Sequence, residues 1–415
     1  MRFPALLAAL FILGAIPPVA ASTVNAWPQV GGDVRHSGAN LSETTLSACS
    51  VRSLEVRWTV PIGRAPQGAP SFADGRLYVG SENGVLHVLD AKTGRTLWTK
   101  ALGGRLATPV IDSGRVYALS GDDNAVGTLY ALAANDGREL WRRSVNSNGH
   151  QSPTVGAGLV VVTSNRIYAF SAETGQPLWS YGDEFGVAYE AALVDGLVVA
   201  ADDGKLVALT PGGAEVWWTE PASRVLGYRL RVSADRGVVY AGGFDGMLRA
   251  IAVRDGTTRW TAITYGEVFA PAVAAGLVYA QASTNFVFGI DQATGAVRWS
   301  YDTAEGAVPP GQSSNFPPAY TNGLLFVATG IVAPDRSSLD NFLLALDART
   351  GSVLWRAGLG RERATQPTIA GGHVFIQTEA RLLAYGLPAP KLSATRVVGA
   401  HWSFLPIAGL ARPDC

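Results

Sequence analysis

The feature that most constrains this chain is a tryptophan that recurs with a glycine four residues before it. The pair occurs seven times, and successive tryptophans are 38 to 43 residues apart except for one interval of 56. A glycine that follows short polar residues and precedes an apolar run is typical of a tight hairpin turn, because glycine readily adopts positive φ. The pairs are Gly94 and Trp98, Gly137 and Trp141, Gly175 and Trp179, Gly213 and Trp217, Gly256 and Trp260, Gly295 and Trp299, and Gly351 and Trp355.

A second glycine signature precedes each pair and opens another apolar run. It occurs eight times, and in six of the eight a proline stands five residues before the glycine. Each repeat therefore predicts four short strands within about 40 residues, which is the pattern of a β-propeller blade. The eight glycines are Gly75, Gly114, Gly158, Gly196, Gly237, Gly276, Gly323 and Gly372.

The eighth repeat lacks a tryptophan strand of its own. It stops at Leu383–Tyr385, whereas Trp58 lies in an early strand-like run, Leu54–Thr59, that has no glycine turn before it. An N-terminal strand that completes the last blade would remove the open sheet edges. The sequence thus predicts an all-β, eight-bladed propeller over residues 54–386, with four-stranded antiparallel blades and the last blade closed by an N-terminal strand.

Composition narrows the functional classes. The chain has 33 Lys and Arg against 33 Asp and Glu, so it has no general attraction to nucleic acid or to an anionic membrane. Hydrophobic residues make up 47% and charged residues 16%, which excludes a disordered chain. Two cysteines among 415 residues exclude a disulfide-rich scaffold and a cysteine-rich metal cluster.

Residues 1–21 have the pattern of a cleaved secretory leader. Arg2 precedes an apolar stretch, Ala5–Ile16, and small residues end at Ala21, so we expect cleavage before Ser22. An uncleaved anchor is the alternative. We expect a secreted or periplasmic protein without a membrane anchor, with an N-terminal extension over 22–53 and a C-terminal tail over 387–415.

The repeats resemble the tryptophan-docking repeats of the pyrroloquinoline-quinone-like propeller family, over residues 54–386. The resemblance implies that each tryptophan packs between neighbouring blades and locks the ring, with burial of the aromatic ring as the source of energy. The implied docking residues are Trp58, Trp98, Trp141, Trp179, Trp217, Trp260, Trp299 and Trp355.

The resemblance implies two classes of function, because the family contains quinoprotein dehydrogenases and non-catalytic binding propellers. Residues 27–33 (WPQVGGD) and 328–331 (ATGI) are similar to dehydrogenase segments. In those enzymes the residue after this Thr-Gly pair is often a calcium-ligating asparagine; here Ile331 follows it, and calcium needs about 6–8 oxygen ligands. The adjacent cysteines of the dehydrogenases are also missing. We expect no cofactor and no metal, with pyrroloquinoline quinone and calcium as the alternative.

The loops that lead into the innermost strands of a propeller lie on one face, around the mouth of the central channel. Polar residues there are candidates for a binding pocket, with arginines for an anionic group and glutamates and histidine as hydrogen-bonding or proton-active partners. Alternatively, these charges pair across a water-filled funnel and bind nothing. The candidates are His150, Gln151, Tyr189, Glu190, Arg229, Arg231, Glu267 and Arg363.

The long interval between Trp299 and Trp355 contains two insertions, at 302–315 and 332–341. By the same loop topology, both insertions are expected on the mouth face. Long loops on a rigid scaffold often carry function, although a solvated insertion without a ligand is equally consistent with this pattern. The candidate residues are Asn315, Asp335, Arg336, Asp340 and Asn341.

The two cysteines lie near the two ends of the propeller. Cys49 comes just before the closing strand and Cys415 ends the tail. Because an exported chain meets an oxidising compartment, we predict a Cys49–Cys415 disulfide that staples the closing blade. Two unpaired cysteines, or an intermolecular bridge, are the alternatives.

The leading functional hypothesis is a non-catalytic, monomeric scaffold that binds a protein or polymer partner through the mouth face. A quinone- and calcium-dependent dehydrogenase of an alcohol or polymer is the second hypothesis. A third is an assembly factor for outer-membrane proteins, although no cysteine follows the leader to carry a lipid until Cys49.

Overall fold

The computed structural model describes residues 25–63, 68–122, 126–147, 151–183, 188–202, 204–220, 231–243, 245–304, 316–332 and 339–389. Within them the chain forms eight antiparallel sheets, seven of four strands and one of five, which confirms the predicted eight-bladed propeller. The single helical element described is a short 3₁₀ turn, Ser50–Ser53. The predicted leader, 1–21, lies outside the described residues.

The strands follow the chain from the innermost strand outward, four to a blade except in blade 2, which has five. Blade 1 contains β2 (Ser71–Ala73), β3 (Arg76–Gly80), β4 (Val85–Asp90) and β5 (Thr96–Ala101); blade 2 contains β6 (Arg105–Leu106), β7 (Val110–Asp112), β8 (Arg115–Gly121), β9 (Val126–Ala133) and β10 (Glu139–Asn146); blade 3 contains β11 (Thr154–Gly156), β12 (Leu159–Thr163), β13 (Ile167–Ser171) and β14 (Pro177–Tyr181); blade 4 contains β15 (Ala188–Val194), β16 (Leu197–Asp202), β17 (Lys205–Leu209) and β18 (Glu215–Thr219).

The second half of the ring repeats this order. Blade 5 contains β19 (Arg231–Asp235), β20 (Val238–Gly242), β21 (Met247–Ala252) and β22 (Thr258–Ile263); blade 6 contains β23 (Ala272–Ala274), β24 (Leu277–Gln281), β25 (Phe286–Asp291) and β26 (Val297–Asp302); blade 7 contains β27 (Ala319–Thr321), β28 (Leu324–Val332), β29 (Leu339–Asp347) and β30 (Val353–Gly360); blade 8 contains β31 (Thr368–Ala370), β32 (His373–Gln377), β33 (Arg381–Gly386) and β1 (Glu55–Pro61).

Blade 8 is built from both ends of the chain, as predicted. The N-terminal strand β1 runs antiparallel to β33, with Glu55 opposite Gly386 and Pro61 opposite Arg381. The ring is therefore closed by hydrogen bonds between segments that are more than 300 residues apart in the sequence.

The hydrophobic core is divided into layers between neighbouring blades. The second strand of a blade is covered on both faces, so it is a continuous apolar run such as Leu159–Thr163, all of whose residues are buried. Outer strands alternate between exposed and covered positions, because one face packs inward and the other meets solvent. The largest buried cluster joins blades 7, 8 and 1 around the closure.

The tryptophan of each outer strand contacts the following blade. In blade 2, the Trp141 indole N–H donates to Ala172 O at 3.2 Å, and a Cβ added at Gly175 would lie 2.5 Å from the Trp141 ring. Gly175 thus provides both the positive φ of the turn and a flat surface for the indole. The same bond joins Trp58 to Ala91, Trp179 to Pro211, Trp217 to Val253, Trp260 to Gln292, Trp299 to Ala348, and Trp355 to Leu54.

Two positions depart from this pattern. Trp98 rests on Gly137, but its indole N–H has no partner among the described residues. Trp355 reaches the closing blade, where no glycine turn precedes the outer strand β1. Its indole N–H donates to Leu54 O, in the segment just before β1. This arrangement explains why seven glycine–tryptophan pairs in the sequence accompany eight docked tryptophans.

Candidate functional site

The central channel is occupied by an N-terminal strap, residues 25–46, that the sequence did not predict. The strap hydrogen-bonds in turn to the innermost strand of every blade. Its contacts are Trp27 with Phe72, Pro28 with Ile111, Gln29 with Val155, Val34 with Leu193, Arg35 with Ala234, Ser37 with Val273, Gly38 and Asn40 with Tyr320, and the Asn40 side chain with Ile369. Most of these bonds measure 2.7 to 3.0 Å.

The two ends of the strap are joined to each other. The amide of Asn25 donates to Glu43 at 2.7 Å, and the amide of Asn40 donates to Asn25 at 3.0 Å. Glu43 also accepts the Gly372 N–H at 2.7 Å and the Thr45 N–H at 2.6 Å. Burial raises the pKa of Glu43, but these hydrogen bonds outweigh burial and hold the pKa below its usual range.

The strap lies on the face opposite the mouth. Its side chains meet the turns between first and second strands: Val34 packs against Gly156, Arg35 pairs with Asp235 at 3.5 Å, and Glu43 bonds to Gly372. The mouth is formed by loops at the other ends of the innermost strands. The strap therefore closes one end of the channel and forms the floor of a funnel that faces the mouth.

His36 is a buried strap residue that contacts an innermost strand through its side chain. It is 3% exposed, has positive φ, and its Nε2 lies 3.2 Å from the hydroxyl of Thr154, at the mouth end of an innermost strand. Burial lowers the pKa of His36, while the carboxylates of Glu190 and Asp33 act in the opposite direction. Sequence reasoning gave this histidine no role, because its neighbours come from distant parts of the chain.

The predicted mouth residues that the structure describes differ in burial and in the elements that hold them. Glu190 is 9% exposed and lies in electrostatic reach of His36. Gln151 and Glu267 are half-buried and Arg363 is exposed. Tyr189 and Arg231 belong to innermost strands β15 and β19. His150 and Arg229 lie outside the described residues.

Of the five candidate residues in the two insertions, the structure describes two, Asn341 and Asp340. Asn341 is buried in β29 and its amide lies 3.4 Å from Gly360 O, so it is a packing residue of blade 7. Its neighbour Asp340 is exposed. The remaining three candidates, Asn315, Asp335 and Arg336, lie outside the described residues.

The described mouth residues offer no donor set for calcium. No group of three or more His, Cys, Asp or Glu side chains comes together among the residues that the structure describes. Ile331 pairs with Asp340 within the sheet of blade 7.

A group of exposed apolar side chains, here called the apolar arc, lies on the mouth side of blades 4 to 6. Trp218 is 52% exposed near the end of β18, and Ile263 is 54% exposed at the end of β22. Tyr265, in the following loop, is 76% exposed, and Phe286, at the start of β25, is 37% exposed. The Lys205 ammonium lies 4.9 Å from the centroid of the Trp218 ring.

The apolar arc differs from the other exposed apolar residues of the outer strands. Those residues stand one or two positions before the docking tryptophans and are distributed one to a blade: Val56, Leu140, Leu178, Val216, Val297 and Val353. Scattered exposed apolar residues need no functional explanation, whereas large ones that share one face can contribute to an interaction surface; the residues of the apolar arc share the mouth side of three consecutive blades.

Two further findings concern the chain ends and membranes. Cys49 is disulfide-bonded. Its predicted partner, Cys415, lies outside the described residues, so the pairing remains a prediction. The described residues contain no helix that is both long and apolar enough to cross a membrane.

A comparison with known protein families supports the assignment of the repeats to PQQ-like propeller blades. A family model of PQQ-like repeats, described as Outer membrane protein assembly factor BamB, matches residues 42–127, 124–301 and 302–387. The chain belongs to this family. The match covers the whole ring of blades, including the third segment, which contains the insertions of blade 7.

Two relatives carry the name of an outer membrane protein assembly factor. The outer membrane protein assembly factor BamB of Burkholderia pseudomallei is 30% identical over 178 residues, which cover 40% of this chain and 45% of that protein. The chain therefore spans about half the length of that relative. BamB of Shewanella oneidensis is 22% identical over 403 residues, covering 83% of this chain and 96% of the relative.

The fold is shared with an enzyme of known structure. Quinohemoprotein alcohol dehydrogenase from Comamonas testosteroni superposes with a TM-score of 0.68 at 16% identity, covering 89% of this chain and 81% of the enzyme. At that identity the likeness shows the fold alone.

Proposed function

We propose that this chain is an exported, non-catalytic scaffold that binds a protein partner through its mouth face, in the manner of an outer-membrane protein assembly factor. The observation that carries the proposal is the apolar arc, Trp218, Ile263, Tyr265 and Phe286, on the rim of a rigid ring. Large aromatic side chains that are half-exposed in the free protein are typical anchors of protein–protein interfaces.

The placement of the strap supports the use of the mouth face as the binding surface. Because the strap closes the opposite face, its first described residue, Asn25, lies on the side away from the apolar arc. A chain held or tethered through its N-terminal extension would therefore present the mouth face to a partner. The long alignment with the Shewanella oneidensis assembly factor is consistent with this role.

Site-directed photo-crosslinking in the native organism tests the proposal. A photoreactive residue at Tyr265 or Trp218 is expected to give a discrete protein adduct. The matched control is Leu178, which is 50% exposed on an outer strand away from the apolar arc. Equal adducts from all three positions, or none at Tyr265 and Trp218, would contradict the proposal.

The dehydrogenase hypothesis is tested separately, because the chain shares its fold with an alcohol dehydrogenase. The purified protein is titrated calorimetrically with pyrroloquinoline quinone, with calcium present and then chelated. The scaffold proposal expects no heat and no change in melting temperature. Calcium-dependent binding of one quinone per chain at micromolar or lower Kd would replace it with the enzyme.

A further inference from the structure

The outer strand of blade 4 differs in its residues from the other seven outer strands. Each outer strand pairs with a neighbour on one side only among the described strands. Such an edge presents main-chain N–H and C=O groups to other chains, and proteins commonly protect it with charged residues, lysine above all, or with proline. β18 (EVWWT) contains no lysine, arginine or proline, and its single charged residue, Glu215, stands at its first position. The other outer strands contain Arg57 and Pro61, Lys100, Arg142 and Arg143, Pro177, Arg259, Arg298, and Arg356.

β18 also exposes two large apolar side chains, whereas no other outer strand exposes more than one. Val216 is 46% exposed and Trp218 is 52% exposed, while Trp217 between them is buried and donates to Val253 O of blade 5. All eight outer strands have the same bulge directly before the tryptophan, so backbone geometry does not distinguish β18. The difference lies in the side chains along the edge.

Carboxylates stand at both ends of this edge. Glu215 and Glu220 are exposed, and Glu215 accepts a hydrogen bond from the Tyr181 hydroxyl of blade 3. If two copies of the chain paired antiparallel through β18, Glu215 of one copy would lie within one residue of Glu220 of the other at both ends. Like charges at such positions destabilise strand pairing. The charges therefore disfavour a second copy and favour a strand with a cationic residue at each end.

The C-terminal tail of the same chain is another candidate occupant, because it combines apolar residues with basic ones such as Arg396. The tail follows β33 in blade 8, which lies opposite blade 4 in the ring. The predicted disulfide would also return its last residue, Cys415, to Cys49, just before β1 of blade 8. The tail is therefore poorly placed to cover β18, and a separate protein is the better occupant.

We propose that β18 is a docking edge, to which an extended segment of a partner protein adds as a further strand of blade 4. This inference rests on the scaffold function proposed above, whose apolar arc includes Trp218. Main-chain hydrogen bonds to β18 supply affinity, and the side chains of the segment supply selectivity. Alternate apolar side chains cover Trp218, and a lysine or arginine at each end meets Glu215 or Glu220.

Three synthetic peptides test the docking edge on the purified protein by calorimetric titration. The first alternates valine and threonine and has a lysine at each end; the second has a glutamate at each end instead. The third is the lysine-ended peptide with methylated main-chain nitrogens, which cannot donate hydrogen bonds. The lysine-ended peptide should bind about tenfold more tightly than the glutamate-ended one, and the methylated peptide should not bind. Hydrogen–deuterium exchange at saturation should show protection of β18 and none of β14.

Val216→Arg is the variant that closes the edge. It gives β18 the residue that three other outer strands have directly before the tryptophan, Arg57, Arg259 and Arg298, so blade 4 is expected to fold normally. It should weaken binding of the lysine-ended peptide about tenfold, because it adds a like charge to the edge. Leu178→Arg is the matched control, since Leu178 is 50% exposed at the same position of β14, and it should leave binding unchanged.

The photo-crosslink at Tyr265 distinguishes the docking edge from the scaffold function. In the native organism, Val216→Arg should reduce the Tyr265 adduct about tenfold and Leu178→Arg should not reduce it. An undiminished adduct in Val216→Arg would overturn the docking edge and leave the scaffold function standing. No adduct in the wild-type background would refute the scaffold function itself.

Four results with the purified protein would also overturn the docking edge. They are no binding of the lysine-ended peptide, equally tight binding of either of the other two peptides, equal protection of β14 and β18, and wild-type affinity in Val216→Arg. A photoreactive residue at Trp218 that gives a homodimeric adduct in the purified protein would assign the edge to a second copy instead of a partner.

Discussion

The contact between a docking tryptophan and the glycine of the next blade can be isolated by one substitution. In Gly175→Ala, the new Cβ would lie 2.5 Å from the Trp141 ring, and Gly175 has φ of +67°. A left-handed backbone costs alanine about 1–2 kcal/mol, and overpacking against a rigid ring adds about 1–3 kcal/mol. We expect a total loss of about 2–5 kcal/mol.

Gly158→Ala is the matched control. Gly158 has φ of +79° in the same blade, but a Cβ there would meet nothing within 4 Å. Its alanine variant should therefore lose only the backbone cost, about 1–2 kcal/mol. For a chain of 415 residues the entropy of unfolding is about 0.9 kcal/mol/K, so the melting temperature should fall by about 2–5 °C at Gly175 and about 1–2 °C at Gly158.

Differential scanning calorimetry of both variants, each also in a Trp141→Ala background, measures the contact directly. Removing the indole should reduce the cost of Gly175→Ala to that of Gly158→Ala, because the coupling energy of the cycle belongs to the ring contact. Equal losses for the two glycine variants in the wild-type background would refute the reasoning, since backbone conformation alone would then account for both.

Three other outcomes follow from contacts described above. In urea titrations, Glu43→Gln should lower the free energy of unfolding by about 2–3 kcal/mol at neutral pH. The pKa of Glu43 in the folded protein lies below its ordinary value of about 4.3. The difference between variant and wild type should therefore shrink as the pH falls through that value. Trp217→Phe should lower the free energy of unfolding by about 1 kcal/mol more than Trp98→Phe in the same assay. The Trp217 indole N–H donates a hydrogen bond to Val253 O, whereas the Trp98 indole N–H has no hydrogen-bond partner among the described residues. Cys49→Ser should cost about 2–5 kcal/mol, and peptide mapping without reductant should recover Cys49 joined to Cys415, whereas two free thiols would contradict the pairing.

The ring of blades could be predicted because its signals are local and repeated. A turn glycine such as Gly94 and a strand tryptophan such as Trp98 lie within one hairpin, so their spacing is fixed by backbone geometry. The closure was also predictable. Trp58 lies in a strand that belongs to no complete repeat, and the eighth repeat lacks a tryptophan strand, so the first can supply the second.

The strap could not be predicted by the same means. Its residues follow no period, and its partners are distant in the sequence: Gln29 bonds to a residue 126 positions away and Gly31 to one 335 positions away. The burial of His36 depends on Thr154 and Glu190, which only the closed ring brings to the axis. A Gly-rich, polar N-terminal segment therefore looked like a flanking extension.

The burial of the individual mouth residues could not be predicted for a related reason. Loop topology correctly indicates which residues precede the innermost strands, but it does not indicate which way each side chain turns. Glu190 is buried and Arg363 is exposed, although both were expected at the rim of the channel mouth. The apolar arc was missed because Trp218 and Tyr265 stand outside the repeat positions that the pattern describes.

The strap also imposes an order of events on the making of the protein. Residue 31 is synthesised 335 residues before Gln366, its hydrogen-bond partner on the last blade, which at about 5–20 residues per second is a delay of roughly 20–70 s. During that interval Leu46 and the closing strand have apolar surface that blade 8 does not yet cover. The first segment to be made is the last to be placed, and a chain that ends before Gln366 has no complete ring for it to enter.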